Sequence, residues 1–181
     1  MTKIFRPDPD KIYYPVLWSN PSDFAKCADL NFKSVRGNWH AVNFEFYRTG
    51  KSKGLEPDVA CVTPGFAFRR DLKKLLFPES NQNIELLPII VAGEDWYLVN
   101  CLNSIREYNE SRSIFHKGPA GSIFLVQRLI IDEFPVDSEE LFTIENSNRS
   151  TIFVTESFAN RVKHLNLKGL QFKQIGEVSN K

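Results

Sequence analysis

The chain has 181 residues, of which 42% are apolar and 25% charged, the composition of an ordinary soluble globular protein that can bury a sizeable core. Its 23 basic and 22 acidic side chains leave a net charge of +1, which argues against nucleic acid and anionic membranes as partners. No run approaches the roughly 20 apolar residues that cross a bilayer, and the N-terminal residues lack the apolar core of a secretory signal. We therefore expect a cytoplasmic protein.

The first third of the chain predicts short elements. Residues 1–11 are polar and contain two prolines, which predicts an extended N-terminal arm. We expect a strand over 12–18 and a short helix over 23–28. Apolar and polar residues alternate over 42–47, so the strand expected there should bury one face. The composition of 48–57 is typical of a flexible loop.

A strand followed by a helix is expected next. Residues 59–62 are apolar, and Pro64 stands where a helix would begin, because its missing N–H needs no partner at that position. This helix would carry an apolar stripe made of Phe68, Leu72, Leu75 and Leu76. Its outer face would carry a basic block made of Arg69, Arg70, Lys73 and Lys74.

The middle of the chain predicts a hairpin and an interior strand. The apolar segments 84–91 and 96–99 flank residues 92–95, which predicts a β-hairpin with a four-residue connection. Residues 103–113 are polar and poorly periodic. The segment 122–131 is apolar on both faces, so it should lie inside a sheet and not at its edge.

The closing stretch predicts a strand, a helix and a second strand. Residues 151–154 suit a half-buried strand, and the hydroxyl of Thr155 can accept an N–H of the first helical turn. Gly169 is expected to end the helix, and 170–175 to form the last strand. The helix would bury a stripe made of Phe158, Val162 and Leu165.

The two strand-to-helix passages share residues at a constant offset of 92 positions. The five identities pair Val62 with Val154, Thr63 with Thr155, Phe66 with Phe158, Ala67 with Ala159 and Arg69 with Arg161. The apolar stripes of the two helices are out of phase by about two residues. A duplicated strand-helix-strand unit and the chance reuse of a capped junction therefore both stay open.

These elements predict an α+β fold whose sheet is mostly antiparallel or mixed and which contains two or three helices. Nothing in the composition marks a linker, so we expect one domain over 1–181, with a division into two lobes at about 1–100 and 101–181 left open.

The sequence predicts no catalytic residue, no metal site and no cofactor. Cys27, Cys61 and Cys101 are odd in number, widely spaced and set in apolar sequence, which is typical of buried reduced thiols. The histidines lack the paired spacing of metal ligands. No phosphate-binding loop or nucleophile motif occurs.

Acidic residues provide the candidates for partner binding. Six carboxylates occur between residues 132 and 145 without any lysine or arginine, and they form either a solvated face or a patch for a basic partner. The predicted 92–95 connection adds two more acids, followed by a tryptophan that either packs in the core or anchors a partner. The candidate residues are Glu94, Asp95, Trp96, Asp132, Glu133, Asp137, Glu139 and Glu140.

The motif LLPIIVAGEDWYLVN, a polar segment and the closing IFVTESFANRVKHLNLKGLQF follow one another in this order. This order resembles a family of immunity proteins from bacterial polymorphic toxin systems, formerly described as a domain family of unknown function. The likeness covers about residues 58–178. The family commonly has two aspartates three positions apart before a serine, whereas this chain has Arg106 and Asn109 before Ser113. If those acids only cap a turn, Asn109 can replace one of them.

The resemblance implies a protein without catalytic activity that binds a cognate protein toxin in the cytoplasm and blocks it sterically. Two alternatives remain open. One is an interaction or assembly module, which would show a self-complementary apolar patch. The other is a small-molecule enzyme with a pocket lined by Tyr108, Asn109, Ser111 or His116.

Overall fold

The computed structural model describes residues 2–27, 30, 33–48, 54–78, 81–119, 121–133, 140–147 and 151–179. The described residues form two mixed β-sheets and three α-helices, which confirms the α+β prediction. The elements in chain order are β1 (Thr2–Pro9), β2 (Val16–Trp18), α1 (Asp23–Cys27), β3 (Asn43–Phe46), β4 (Val59–Cys61), β5 (Phe66–Arg69), α2 (Lys73–Leu76), β6 (Ile84–Val91), β7 (Glu94–Cys101), β8 (Ser104–Ile105), β9 (Ile114–Lys117), β10 (Ile123–Ile131), β11 (Leu141–Ile144), β12 (Phe153–Thr155), α3 (Glu156–His164) and β13 (Leu170–Val178).

The first sheet contains strands β2 to β7 in the spatial order β2-β3-β6-β7-β5-β4. Its neighbouring strands are antiparallel except β3 and β6, which are parallel. The alternation predicted over 42–47 is present in β3, where Phe44 is buried between the exposed residues Asn43 and Glu45. The two edges of this sheet are β2 and β4, and both matter for the site described below.

The second sheet has the order β8-β11-β12-β1-β13-β10-β9. The N-terminal residues, predicted as an extended arm, form β1, which pairs with β12 on one side and with β13 on the other. The apolar segment predicted as an interior strand is β10, which pairs with β13 and β9. The first and last strands of the chain are therefore neighbours within this sheet.

Helix α3 follows the predicted stripe, since Phe158 and Val162 are buried and Leu165 is half-buried. Two details of the prediction are wrong. Thr155 occupies the position before the helix, but its hydroxyl makes no capping hydrogen bond. Residue 169 does not end the helix, because Asn166 has a φ of +53° and the N–H of Leu167 donates to the Val162 carbonyl at 3.2 Å, a hydrogen-bond pattern that closes helix C-termini.

The duplicated strand-helix-strand unit is not present. Phe66 and Arg69 lie in β5, a strand, whereas their counterparts at the offset of 92 lie in helix α3. Pro64 lies in the turn between β4 and β5, where the N–H of Val62 donates to the carbonyl of Gly65 at 3.1 Å. The segment folds back as a hairpin, and only residues 70–76 after it form helical turns.

The hairpin of β6 and β7 has a shorter connection than predicted. Val91 pairs with Glu94, so the turn consists of Ala92 and Gly93 alone. Both have a positive φ, of 50° and 86°, as a two-residue hairpin turn requires. Glu94 and Asp95 therefore belong to strand β7 and not to a loop.

A buried carboxylate fastens the segment before β3 to the first sheet. Glu85 on β6 is 4% exposed, and it accepts hydrogen bonds from the Ser34 hydroxyl, from the Val35 N–H at 3.0 Å and from the Asn100 amide at 2.9 Å. Burial alone would raise the pKa of Glu85, but these hydrogen bonds outweigh burial and hold that pKa below its ordinary value.

We expect Glu85→Gln to lower the free energy of unfolding by about 1.5–3 kcal/mol near pH 7, because the amide cannot accept all the hydrogen bonds that the charged carboxylate accepts. Since the folded pKa is depressed, the contribution of Glu85 is complete above its unfolded pKa of about 4.3 and disappears as the pH falls through the folded pKa. Denaturant titrations should therefore show a lower free energy of unfolding for Glu85→Gln than for the wild type at neutral pH, and equal values for the two proteins at acidic pH. Glu45→Gln, at an exposed position on β3, is the control, and an equal loss in that variant would contradict the role of Glu85.

Candidate functional site

A cavity of about 680 Å³ opens between the two edges of the first sheet. We call it the edge cleft, and its walls are β2, β4, the start of β5, the second half of β1 and the segment 10–15. Since β2 and β4 are opposite edge strands of one sheet, the sheet curls until both edges border the same opening. A volume of this size lies within the range of about 300–1,000 Å³ found for ligand pockets.

The walls of the edge cleft are mainly proline, aromatic and aliphatic side chains. They are contributed by segments that are far apart in sequence, and they include Pro7, Tyr13, Tyr14, Trp18, Pro57 and Phe66. Amphipathic tyrosine and tryptophan rings are common in protein-binding surfaces, because they combine a large apolar area with a polar tip. The lining therefore has a composition that is common in protein-binding surfaces.

Two ionisable groups of the cleft, Arg6 and Cys61, are held in unreactive states. Arg6 donates to both carboxylate oxygens of Asp8, at 2.8 and 3.1 Å, and this hydrogen bonding raises the pKa of Arg6. Burial raises the pKa of the Cys61 thiol to about 12, with a further contribution from Asp8. Because the thiolate is the nucleophilic form, Cys61 stays protonated and inert at neutral pH.

The acids predicted at the hairpin meet the basic block. Glu94 forms an ion pair with Arg69, and Asp95 forms one with Arg70 at 2.8 Å. Arg69 also lies 3.3 Å from a carboxylate oxygen of Glu56. These pairs are largely exposed, so each contributes little stability. They nevertheless neutralise the two acids that the sequence suggested for a basic partner.

Trp96 is part of the core, which is one of the two alternatives that the sequence left open, so its side chain is not accessible to a partner. Its side chain is 1% exposed and packs edge-on against Phe46, with 6.3 Å between the ring centroids. The guanidinium of Arg69 covers its ring at 5.5 Å. In strand β7 its side chain points to a buried face of the sheet, because side chains along a strand alternate between the two faces.

The acidic block is divided between structural and exposed positions. Glu140 accepts two hydrogen bonds from the guanidinium of Arg161, at 2.6 and 2.7 Å, and one from Ser157 at 2.7 Å. Asp132 accepts a hydrogen bond from the Asn109 amide at 2.7 Å. Glu133 is exposed and has no ion pair among the described residues. The remaining candidates, Asp137 and Glu139, lie outside the described residues.

The residues suggested for a small-molecule enzyme do not line the edge cleft. Tyr108 packs edge-on against Phe115 at 5.0 Å between the ring centroids, and burial raises its pKa. Asn109 closes a turn, since its side-chain oxygen accepts hydrogen bonds from the Ser111 hydroxyl and from the N–H of Arg112. His116 is exposed on β9. The hydrogen bonds of Asn109 are those of a turn-capping side chain.

The described residues contain no group of three or more histidine, cysteine or carboxylate side chains placed to hold a metal ion. Among the helices in the described ranges, none is both long and apolar enough to cross a bilayer. Comparison with protein-family models and with curated proteins found no match. The resemblance to immunity proteins therefore depends on the sequence motifs quoted above.

Sequence patterns did not indicate the edge cleft, because its walls meet only in the folded chain. One local signal was present: Pro7, Pro9 and Pro15 surround the pair Tyr13 and Tyr14. These residues span the predicted extended arm and the start of the strand predicted over 12–18, and all five line the cleft.

Proposed function

We propose that the chain is a cytoplasmic immunity protein that binds one cognate protein toxin and neutralises it by covering its active surface. The observation that carries this proposal is the chemistry of the edge cleft, whose walls suit binding while Arg6 and Cys61 are unsuited to proton transfer or nucleophilic attack near pH 7. General acid-base catalysis needs a group whose pKa lies near the working pH. The motif order over residues 58–178 supports the same proposal.

The test is co-expression with the protein encoded beside this chain, with growth and co-purification as the two readouts. We expect this chain to restore growth and to elute with its neighbour as one complex, while an empty vector does neither. Specific complexes bury about 1,600 Å² in total, and toxin-inhibitor pairs include some of the tightest known. Absence of both rescue and binding would contradict the proposal.

The acidic block is tested in the same assay by reversing one charge. Glu133 is the suitable position, because it is exposed and free of ion pairs among the described residues, whereas reversal of Glu140 would break its contacts with Arg161. If the block steers a basic partner, Glu133→Lys should slow association several-fold at low salt, with little change in dissociation. Surface plasmon resonance at two salt concentrations measures both rates, and unchanged association would remove the block from the interface.

An assembly role is the second candidate, and one observation favours it. Ile114, Phe124 and Leu125 on β9 and β10 are exposed apolar residues, with side chains 47%, 58% and 40% exposed. Strand β9 is an edge of the second sheet, and free edges can pair with a second copy. Light scattering of the purified chain distinguishes the two roles. Assembly through these residues predicts a dimer of this chain, whereas the immunity function needs only a complex with the toxin.

A further inference from the structure

We propose, building on the immunity function proposed above, that the edge cleft binds an extended, uncharged apolar segment of the partner protein, which pairs as an added strand with the edge of β2 that no other described strand occupies. This mode of binding is supported by the direction of main-chain groups in β2, by the shape of the cleft and by the charges around it.

Strand β2 hydrogen-bonds to β3 through alternate residues. The N–H of Tyr47 donates to the Pro15 carbonyl at 2.7 Å, and the N–H of Ser19 donates to the Asn43 carbonyl at 3.0 Å. Hydrogen-bonded and non-hydrogen-bonded positions alternate along an antiparallel pair. The middle residue of β2 therefore bonds to β3, and the main-chain groups of its first and last residues point away from β3.

These outward groups belong to Val16 and Trp18, and both residues line the edge cleft. The same edge is already paired just before β2. The N–H of Tyr14 donates to the Leu55 carbonyl at 2.9 Å, and Tyr13 forms a parallel bridge with Leu55. After Leu55 the chain makes no further bridge to β2 in the described residues and leads into β4. The cleft therefore begins where this pairing stops. An added strand would continue the pairing along β2.

The opposite wall of the cleft presents main-chain groups in the same way. The N–H of Arg69 donates to the Asp58 carbonyl at 3.1 Å, and the N–H of Val62 donates to the Gly65 carbonyl. The same alternation in the antiparallel hairpin of β4 and β5 makes the main chain of Cys61 point away from β5. An extended polypeptide matches such an opening, because its own N–H and C=O groups alternate along its length.

The charges around the cleft favour an uncharged segment. Arg6 and Asp8 neutralise each other at 2.8 Å, and the neighbouring charges of Asp10 and Lys11 are also opposite in sign. These four charges cancel in pairs, so the described lining of the cleft holds no cluster of like charge. A charged segment would lose its hydration against the apolar walls without gaining an opposite charge. At about 3.3 Å per residue, three to five extended residues would cover the length of β2.

Hydrogen exchange tests the free edge directly, using the whole chain alone and in complex with the neighbouring protein. We expect the amides of Val16 and Trp18 to exchange readily in the free chain and to slow by at least about tenfold in the complex. The amides of Leu17 and Ser19, which face β3, should be protected in both states. The proposal would be overturned if the amides of Val16 and Trp18 were protected from exchange in the free chain, or if they were not protected in the complex.

A pair of matched variants tests the cleft itself. Leu17 lines the cleft and is 47% exposed, whereas Leu75 is 50% exposed on α2 and lies outside the cleft. We expect Leu17→Arg to weaken binding of the neighbouring protein by at least about tenfold in calorimetry, and Leu75→Arg to leave it unchanged. Thermal denaturation should show that both variants stay folded. Equal binding by the two variants would overturn the docking site and leave the immunity function standing.

A second probe separates failure of the site from failure of the proposed function. If the neighbouring protein does not bind, displayed random short peptides are selected on the full chain. Enrichment of uncharged apolar peptides that bind the wild type and Leu75→Arg but not Leu17→Arg would support the site and leave the toxin to be found elsewhere. No enrichment, enrichment of charged peptides, or a dimer of this chain that Leu17→Arg dissociates would overturn the proposal.

Discussion

Replacement of Phe158 by alanine should lower the free energy of unfolding by about 3–5 kcal/mol, the usual cost of removing a buried ring. Phe158 lies on α3, directly after strand β12 of the second sheet, and its side chain is fully buried. Its ring nevertheless contacts Phe66 of the first sheet, with 5.7 Å between centroids, and Phe77 at 5.8 Å. The ring joins the two sheets, so the cavity left by alanine would lie at their junction.

Thermal and denaturant unfolding measure this loss. The midpoint of thermal unfolding should fall by about 6–20 °C, from about 2–4 °C per kcal/mol for a chain of this size. Asn160→Ala is the control, because Asn160 is exposed on the same helix and its side chain should contribute within about 0.5 kcal/mol. A loss below about 1 kcal/mol in Phe158→Ala would show that other contacts join the sheets.

The fold could be predicted best where a single face of an element is buried. In α3 the apolar positions recur at helical spacing and are buried as expected, and in β3 they alternate. Such patterns depend on local sequence alone. The α+β class follows from counting these elements, so wrong predictions at individual segments do not change it.

The helix predicted from Pro64 was wrong because strand β5 is buried on both faces. Phe66 and Phe68 pack on one side with Phe158, in one core cluster, and Ala67 packs on the other side with Trp96, in a second cluster. A strand with two buried faces is a continuous apolar run without alternation, and periodicity cannot distinguish it from a buried helix. The identities with the α3 passage strengthened the error.

The candidate site could not be predicted from sequence patterns, because it depends on contacts between residues that are far apart in the chain. Acidic residues were chosen by local charge, but Glu94 and Asp95 meet arginines 25 positions earlier in the chain. Glu140 is likewise held by Arg161 of α3. The edge cleft combines residues from near 7–18, 57–66 and 151–152, and only the curl of the first sheet brings these segments together.

The junction of these segments leads to the second large expected effect, that of Gly169→Ala. Gly169 has a φ of +112°, and a Cβ atom there would lie 2.1 Å from the Val59 carbonyl oxygen and 2.4 Å from Pro57. Its own carbonyl accepts the N–H of Asp10 at 3.0 Å. The residue therefore joins the start of β13 to β4 and to the segment that follows β1, and it lines the edge cleft.

Gly169→Ala should lower the free energy of unfolding by about 2–6 kcal/mol, since backbone strain and steric overlap each cost about 1–3 kcal/mol. Gly37→Ala is the matched control, because no atom lies within 4 Å of the Cβ position at Gly37 and its φ is not positive. Denaturant unfolding of both variants measures the difference. If Gly169→Ala is as stable as Gly37→Ala, the close approach of β13 to β4 is not needed for stability. If it is less stable but folded, the widened junction should also speed hydrogen exchange at Asp10 and Val59, since these amides bond to Gly169 and to the residue before it.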